Sequence, residues 1–217
     1  MLKRFIEAVG SVILLVLTLP VFLLTAAAVW LTDFGPVFYR QTRAGIHGRP
    51  FELLKFRSMC MNDRSLDSPN EISGADPLVT VVGRIIRRLK IDELPQLINV
   101  LRGEMSWIGP RPTVLAHVEK YSLFQRRRLE MLPGMTGWAQ VNGGAEILWS
   151  ERIILEVWYV DHRSFLIDMK ILWKTLTVIL RGHKPNLQAV EQARCYAIQH
   201  PDIIQSDLCN VPILQLK

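Results

Sequence analysis

Scarce residue types narrow the possibilities first. Its 217 residues hold three cysteines, Cys60, Cys195 and Cys209, far apart and without a Cys-x-x-Cys spacing. A scattered, odd set of thiols argues against a disulfide framework and a structural zinc site, and fits a reducing compartment. The five histidines (His47, His117, His162, His183 and His200) are equally dispersed, and none forms a metal-ligand pair at helical spacing. Any bound metal should therefore have oxygen ligands. Zinc-finger spacing, an RNP-like motif and a homeodomain-like helix are all missing, which argues against nucleic acid as a partner. Neither an internal repeat nor a low-complexity stretch is present. One region also lacks charge altogether: no charged residue stands between Ala8 and Thr32.

That uncharged region contains the run Val12 to Leu24, and a membrane helix needs about 20 apolar residues. Three readings are open. The segment is a cleaved signal peptide, with Lys3 and Arg4 as its basic start and Ala26-Ala27-Ala28 as its cleavage site. Alternatively it is an ordinary span, or a hairpin that enters one leaflet and returns. The positive-inside rule keeps Lys3 and Arg4 in the cytoplasm. Pro20 removes a backbone donor near the middle of the run and is able to bend a helix there. The whole chain is 49% apolar yet carries a net charge of +6. That combination points to an anionic partner, a membrane surface or a nucleotide phosphate. The length suits one compact domain plus a membrane segment.

Past a turn at Asp33-Phe34-Gly35-Pro36, the runs Val37–Arg40 and Phe51–Phe56 are β-prone and separated by Gly45, Gly48 and Pro50, which predicts a hairpin. Residues 61–77 are polar and turn-rich and read as a loop. Val81–Lys90 predicts a helix with Arg84, Arg87 and Arg88 on its polar side. A second helix should begin at Glu93 or Pro95 and stop at Arg102-Gly103. Helical patterns recur over Val114–Glu130 and residues 150–160. Phe165, Leu166, Met169, Leu172, Trp173, Leu176, Ile179 and Leu180 then repeat at spacings of three and four, an amphipathic helix. It either packs on the core or, given Trp173 with Lys170, Lys174 and Arg181, lies on a membrane surface.

The densest polar cluster is Arg87-Arg88-Leu89-Lys90-Ile91-Asp92-Glu93. Residues 81–130 carry ten Lys or Arg against five Asp or Glu. A solvated helix face would look the same, and its ion pairs would contribute little. The other reading is a phosphate site, because arginine forks grip phosphate oxygens and a neighbouring carboxylate holds Mg²⁺ or attacks phosphorus. A second element favours it. In Gly109-Pro110-Arg111-Pro112 two prolines stiffen the backbone around one guanidinium, and a plain turn has no need of that arginine.

Together with Lys55-Phe56-Arg57-Ser58-Met59, Asp92-Glu93-Leu94-Pro95-Gln96 through Ser106, and Gly109 to Pro112, the sequence resembles the bacterial sugar transferases, the monotopic polyprenyl-phosphate phosphoglycosyl transferases. Gly35 to Gln41 and Pro133 to Gly143 resemble further stretches of that family. The match runs over roughly residues 3 to 181 in family order.

The resemblance implies an α+β fold: an N-terminal re-entrant membrane helix over residues 1–32 and a small, mostly helical cytoplasmic catalytic domain over 33–181. That domain would have a short β-hairpin and amphipathic membrane-surface helices. Residues 182–217 form an extension with no assigned role. It implies transfer of a sugar 1-phosphate from a UDP-sugar to a polyprenyl phosphate at the bacterial inner membrane, as in glycoconjugate or exopolysaccharide synthesis. Asp92 would be nucleophile and Mg²⁺ ligand and Glu93 its partner, with Arg87, Arg111 and Lys55 at phosphate. A membrane-anchored nucleotide-sugar hydrolase and an inactive scaffold are the alternatives. The sugar is not specified, and a homodimer is left open. Leu19 stands where the family has the Ser before Pro20, Glu7 where it has Asp, and Leu132 where Arg precedes the Pro-Gly pair.

Overall fold

The computed structural model describes residues 2–60, 78–182 and 184–199, and the chain divides into two compact units. The first comprises Met1–Gly45 and Arg49–Trp107, the second Ile46–Gly48 and Ile108–Lys217. The predicted loop at 61–77 lies outside the described residues.

The first unit begins with α1 (Leu2–Asp33), a single helix that runs through Pro20. At 1.5 Å per residue its 32 residues extend about 48 Å. By length and composition it is long and apolar enough to cross a membrane. The Thr18 hydroxyl donates to the Leu14 carbonyl at 2.6 Å, in the turn before the proline. Most of the apolar side chains are exposed, Val12, Val16, Leu17, Leu19 and Leu24 among them. A continuous apolar surface of this kind belongs against another apolar phase.

Only a stripe of α1 is buried, and its two ends are fastened differently. Near the N-terminus the contacts are polar. Arg4 donates to the carbonyls of Met105 (2.8 Å) and Val100 (3.2 Å). Buried Glu7 accepts from the Ser106 hydroxyl and the Trp107 N–H, and the Trp107 indole donates to buried Ser11 at 2.9 Å. Towards the C-terminus the contacts are mainly apolar: Phe22 lies 4.8 Å, ring to ring, from Phe56, within a cluster that includes Val29 and Ile86, and Arg57 adds one hydrogen bond to the Val29 carbonyl at 3.3 Å.

The hairpin forms as expected, from β1 (Phe38–Ala44) and β2 (Pro50–Phe56), antiparallel with Arg40 opposite Leu54 and Ala44 opposite Pro50. The first strand runs four residues beyond its apolar pattern, because the ladder to β2 continues where the side chains become polar. The predicted helix at 81–90 is α2 (Val81–Arg88), whose N-cap Thr80 accepts from the Gly83 N–H. A single 3-10 turn, Ile91–Glu93, leads to α3 (Gln96–Arg102), which ends at Gly103 in the left-handed region (φ 85°). β3 (Ser106–Ile108) follows.

In the second unit the helix expected over Val114–Glu130 is replaced by α4 (Leu115–Val118), α5 (Leu123–Arg126) and a 3-10 turn at Arg127–Leu129. The cause is local. Ser122 and Gln125 form a reciprocal capping box, which starts a new helix at Leu123 and so ends the earlier one. Next come β4 (Gly134–Thr136), α6 (Trp138–Val141), α7 (Trp149–His162), α8 (Phe165–Arg181) and α9 (Leu187–Ile198). The core of this unit holds Tyr121, Phe124, Ile153 and Val157 together with Ala197 of α9. Arg194 of α9 pairs with Glu151, and the Tyr196 hydroxyl donates to Asp161 at 2.7 Å. The part of the extension at Leu187–Ile198 is thus a packed helix of this unit.

On helix α8 the stripe marked by the periodicity is largely uncovered. Ile171 is its only buried residue among those described, while Trp173 is 71% and Leu180 83% exposed. Its apolar stripe is not core.

Candidate active site

Four of the five residues singled out by sequence (Lys55, Arg87, Asp92 and Glu93) fall in the first unit. Lys55 sits on β2, Arg87 in the last turn of α2, and the two acids on the 3-10 turn between α2 and α3. Lys90, just before that turn, adopts a left-handed conformation (φ 58°), which reverses the chain after α2. The reversal sets the carboxylates back beside the arginine helix.

Lys55 Nζ lies 3.2 Å from Glu93 Oε1, an ion pair with both side chains largely covered. Arg87 Nε donates to the Ser58 hydroxyl at 2.8 Å, directing the guanidinium along the segment that follows β2. Asp92 is 8% exposed, and its Oδ1 is buried without a hydrogen bond from any described residue. Burial, and then the charge of Glu93, push the Asp92 carboxyl above the ordinary carboxylate range, while Lys55, Lys90 and Arg87 oppose the shift. A buried carboxylate oxygen with no partner is costly, and such groups concentrate where a ligand completes the site.

The scaffold beneath is a buried amide. Asn99 on α3 accepts the Leu54 N–H at 3.0 Å and donates to the Glu52 carbonyl and to Glu104, both at 2.7 Å. It binds α3 to β2 on either side of Leu53, two residues before Lys55. The sequence pattern gave no reason to single out Asn99 for this task, since nothing local places it opposite β2.

Arg111 belongs to the second unit, where its backbone is fixed on every side. Gly109 N–H donates to the Thr136 carbonyl (3.0 Å) and Gly134 N–H to the Pro110 carbonyl (2.8 Å). A Cβ on Gly109 would lie 2.4 Å from the Leu132 carbonyl oxygen, so only glycine fits this approach. The Arg111 N–H donates to Glu156 Oε1 at 2.9 Å, and its carbonyl accepts from Arg128 at 2.7 Å. Arg128 and Glu156 form a buried ion pair, and Arg128 also reaches the Tyr121 hydroxyl. Burial pushes the Glu156 carboxyl upward, opposed by Arg128 and the Arg111 N–H, which favour its charged form. Glu156 and Arg128 escaped the sequence reading. A lone carboxylate in the apolar stretch Ile153 to Val157 was the available signal, because a buried charge requires a partner.

Among the described residues no three Asp, Glu, His or Cys are close enough to hold a metal unaided. The uncommitted oxygen of Asp92 suits one position in an oxygen shell completed by phosphate oxygens and water, the usual arrangement for Mg²⁺.

Residues 1–182 match the family model for bacterial sugar transferases. The uncharacterized sugar transferase EpsL of Bacillus subtilis is 45% identical over 179 residues, covering 82% of this chain and 87% of that one. The UDP-glucose:undecaprenyl-phosphate glucose-1-phosphate transferase of Caulobacter vibrioides is 42% identical over 186 residues, 82% of this chain and 69% of the relative. The undecaprenyl-phosphate glucose phosphotransferase of Komagataeibacter xylinus is 42% identical over 187 residues, but this chain spans only 35% of its length.

Proposed function

This chain belongs to the bacterial sugar transferase family, and we propose that it is a polyprenyl-phosphate sugar-phosphate transferase that works in two steps through Asp92. The observation that carries the mechanism is the buried, unpartnered Oδ1 of Asp92 beside the Lys55–Glu93 pair and Arg87.

In the first step an Asp92 oxygen attacks the β-phosphorus of a UDP-sugar. An acyl-phosphate bond forms, the bond from that phosphorus to the bridging oxygen breaks, and UMP leaves with the oxygen. In the second step a polyprenyl phosphate oxygen attacks the same phosphorus, giving the lipid diphosphate sugar and restoring the Asp92 carboxylate. Splitting the transfer in this way replaces one difficult displacement with two easier ones. Phosphoryl transfer depends mostly on positioning and on charge neutralisation. Arg87 and Arg111 hold phosphate oxygens, and Lys55 fixes Glu93 while adding positive charge. Glu93 serves as the acid/base or positioning partner. Mg²⁺ bound through Asp92 would neutralise the diphosphate.

A carboxylate buried among cations suits this role better than a bare metal ligand, which a solvated acid would serve equally well. The exposed apolar lengths of α1 and α8 suit attachment to the bacterial inner membrane, with α1 re-entrant at Pro20 and the site facing cytoplasmic UDP-sugars. Lys170 and Arg181, both exposed on α8, suit anionic headgroups, whereas Lys174 donates inward to Asn142 at 2.7 Å. Exopolysaccharide synthesis is the matching context. The sugar is to be found by screening UDP-sugars for UMP release.

Incubating the enzyme with UDP-sugar and Mg²⁺ but no lipid tests the mechanism. The expected result is UMP release up to one per active enzyme, with one hexose phosphate of added mass on the peptide containing Asp92. Asp92→Asn should give neither product, and EDTA should suppress both until Mg²⁺ is restored. Turnover with lipid but no adduct would reject the covalent route. Continued UMP release without lipid would mark a hydrolase, and no release under any condition an inactive scaffold.

A further inference from the structure

We propose that Arg128 and Glu156 are positioning residues for the transfer reaction, acting together as a clamp that holds the Arg111 peptide and thereby aims its guanidinium. The inference rests on the proposed role of Arg111 in holding a phosphate.

The clamp is built from opposite charges that both address one residue's backbone. Glu156 Oε1 takes the Arg111 N–H (2.9 Å), and Arg128 donates to the Arg111 carbonyl (2.7 Å). The two clamp side chains then pair with each other out of water. Both polar groups of one peptide residue are therefore bound by a single ion pair. A buried ion pair adds little stability relative to an apolar pair of the same volume, so folding alone does not account for its placement. Positioning does. The neighbouring Pro110 and Pro112 fix the backbone torsions on either side, and the clamp removes the remaining freedom between them. Arg128 is itself held against the Tyr121 and Trp149 rings, 5.5 and 5.7 Å from their centroids, with the Tyr121 hydroxyl as an additional partner. The forked guanidinium is essential to this geometry. A lysine ammonium carries the same charge but cannot reach Glu156, Tyr121 and the Arg111 carbonyl together.

An arginine whose backbone is already held has less freedom to lose on gripping phosphate, and a displacement of about 1 Å at a reacting group costs on the order of 100-fold in rate. Loosening the clamp should therefore lower kcat/KM without removing any group that touches substrate.

The test is a double-mutant cycle on the full chain in detergent micelles with undecaprenyl phosphate and an equimolar mixture of UDP-glucose, UDP-galactose and UDP-N-acetylgalactosamine, following UMP release. Arg128→Lys keeps the charge and is the variant expected to fold. Glu156→Gln keeps an acceptor for the Arg111 N–H and is the second arm. Thermal unfolding checks both. Arg128→Lys should lower kcat/KM by about 10- to 100-fold in the native background. In an Arg111→Ala background the same change should have no further effect, because the group being aimed is gone. A purely structural role would produce losses that multiply in both backgrounds, and that result overturns the proposal. If Arg111→Ala behaves like the native enzyme, the assigned role of Arg111 fails and the clamp with it. Where the mixture yields nothing, the native enzyme is assayed with whichever UDP-sugar the screen identifies, and if none in the screen yields UMP, the transferase reading fails as well.

Discussion

Replacing Asn99 by alanine should unfold the protein at a distinctly lower temperature, and the contacts of the amide set the size of the effect. Asn99 is fully buried and makes three hydrogen bonds: it accepts from Leu54 N–H at 3.0 Å and donates at 2.7 Å to the Glu52 carbonyl and to Glu104. Alanine leaves the first two of those backbone groups without a partner, at about 1–3 kcal/mol each. Glu104 is only half-buried and regains water, so it adds little. The alanine also gains some helix propensity, about 0.5 kcal/mol. The balance is a loss of roughly 3 kcal/mol, which for a chain of this size corresponds to a fall in Tm of about 6–12 °C. Intrinsic tryptophan fluorescence in detergent micelles measures it. Asn99→Asp should be at least as damaging. It retains the acceptor, loses both donors and sets a second carboxylate against Glu104. A fall below about 2 °C for Asn99→Ala would refute the reasoning, since it would mean that water replaces the lost bonds at no cost.

Two further outcomes follow from the packing. Gly83→Ala gains about 1 kcal/mol of helix propensity, but the new Cβ would stand 1.9 Å from the Ser58 carbonyl oxygen. The backbone must move, so a net loss of about 1–3 kcal/mol is expected in thermal unfolding, with weaker UMP release as the Arg87–Ser58 contact loosens. On α8, the double change Leu176→Glu with Leu180→Glu should leave Tm in detergent nearly unchanged, because both side chains are exposed. The same variant should transfer poorly when the lipid substrate is embedded in vesicles. A large drop of Tm in detergent would show instead that this face packs against protein.

Whatever depends on neighbours along the chain is legible in the residues themselves. The uncharged run from Ala8 to Thr32, the alternation around Gly45 and Gly48, Pro95 before α3 and Gly103 after it each specify an element or its end, because propensity and capping act within a few residues. The clustering of Arg87, Lys90, Asp92 and Glu93 was legible for the same reason. Where the local reading failed, over Val114–Glu130, another local signal outweighed it: the Ser122–Gln125 capping box that restarts the helix. The tertiary structure alone decided which faces are covered and which charges meet. The α8 stripe reads identically as core or as surface, and only its exposure separates the two. Glu93 finds Lys55 38 residues away, Asn99 finds Leu54 across 45, and the Arg111 peptide finds Glu156 across another 45. α9, which no motif announced, closes the core over Tyr121 and Phe124. Such pairings are imposed by the cost of burying polar groups without partners, a cost that exists only once distant segments exclude water together, and no window of sequence contains it.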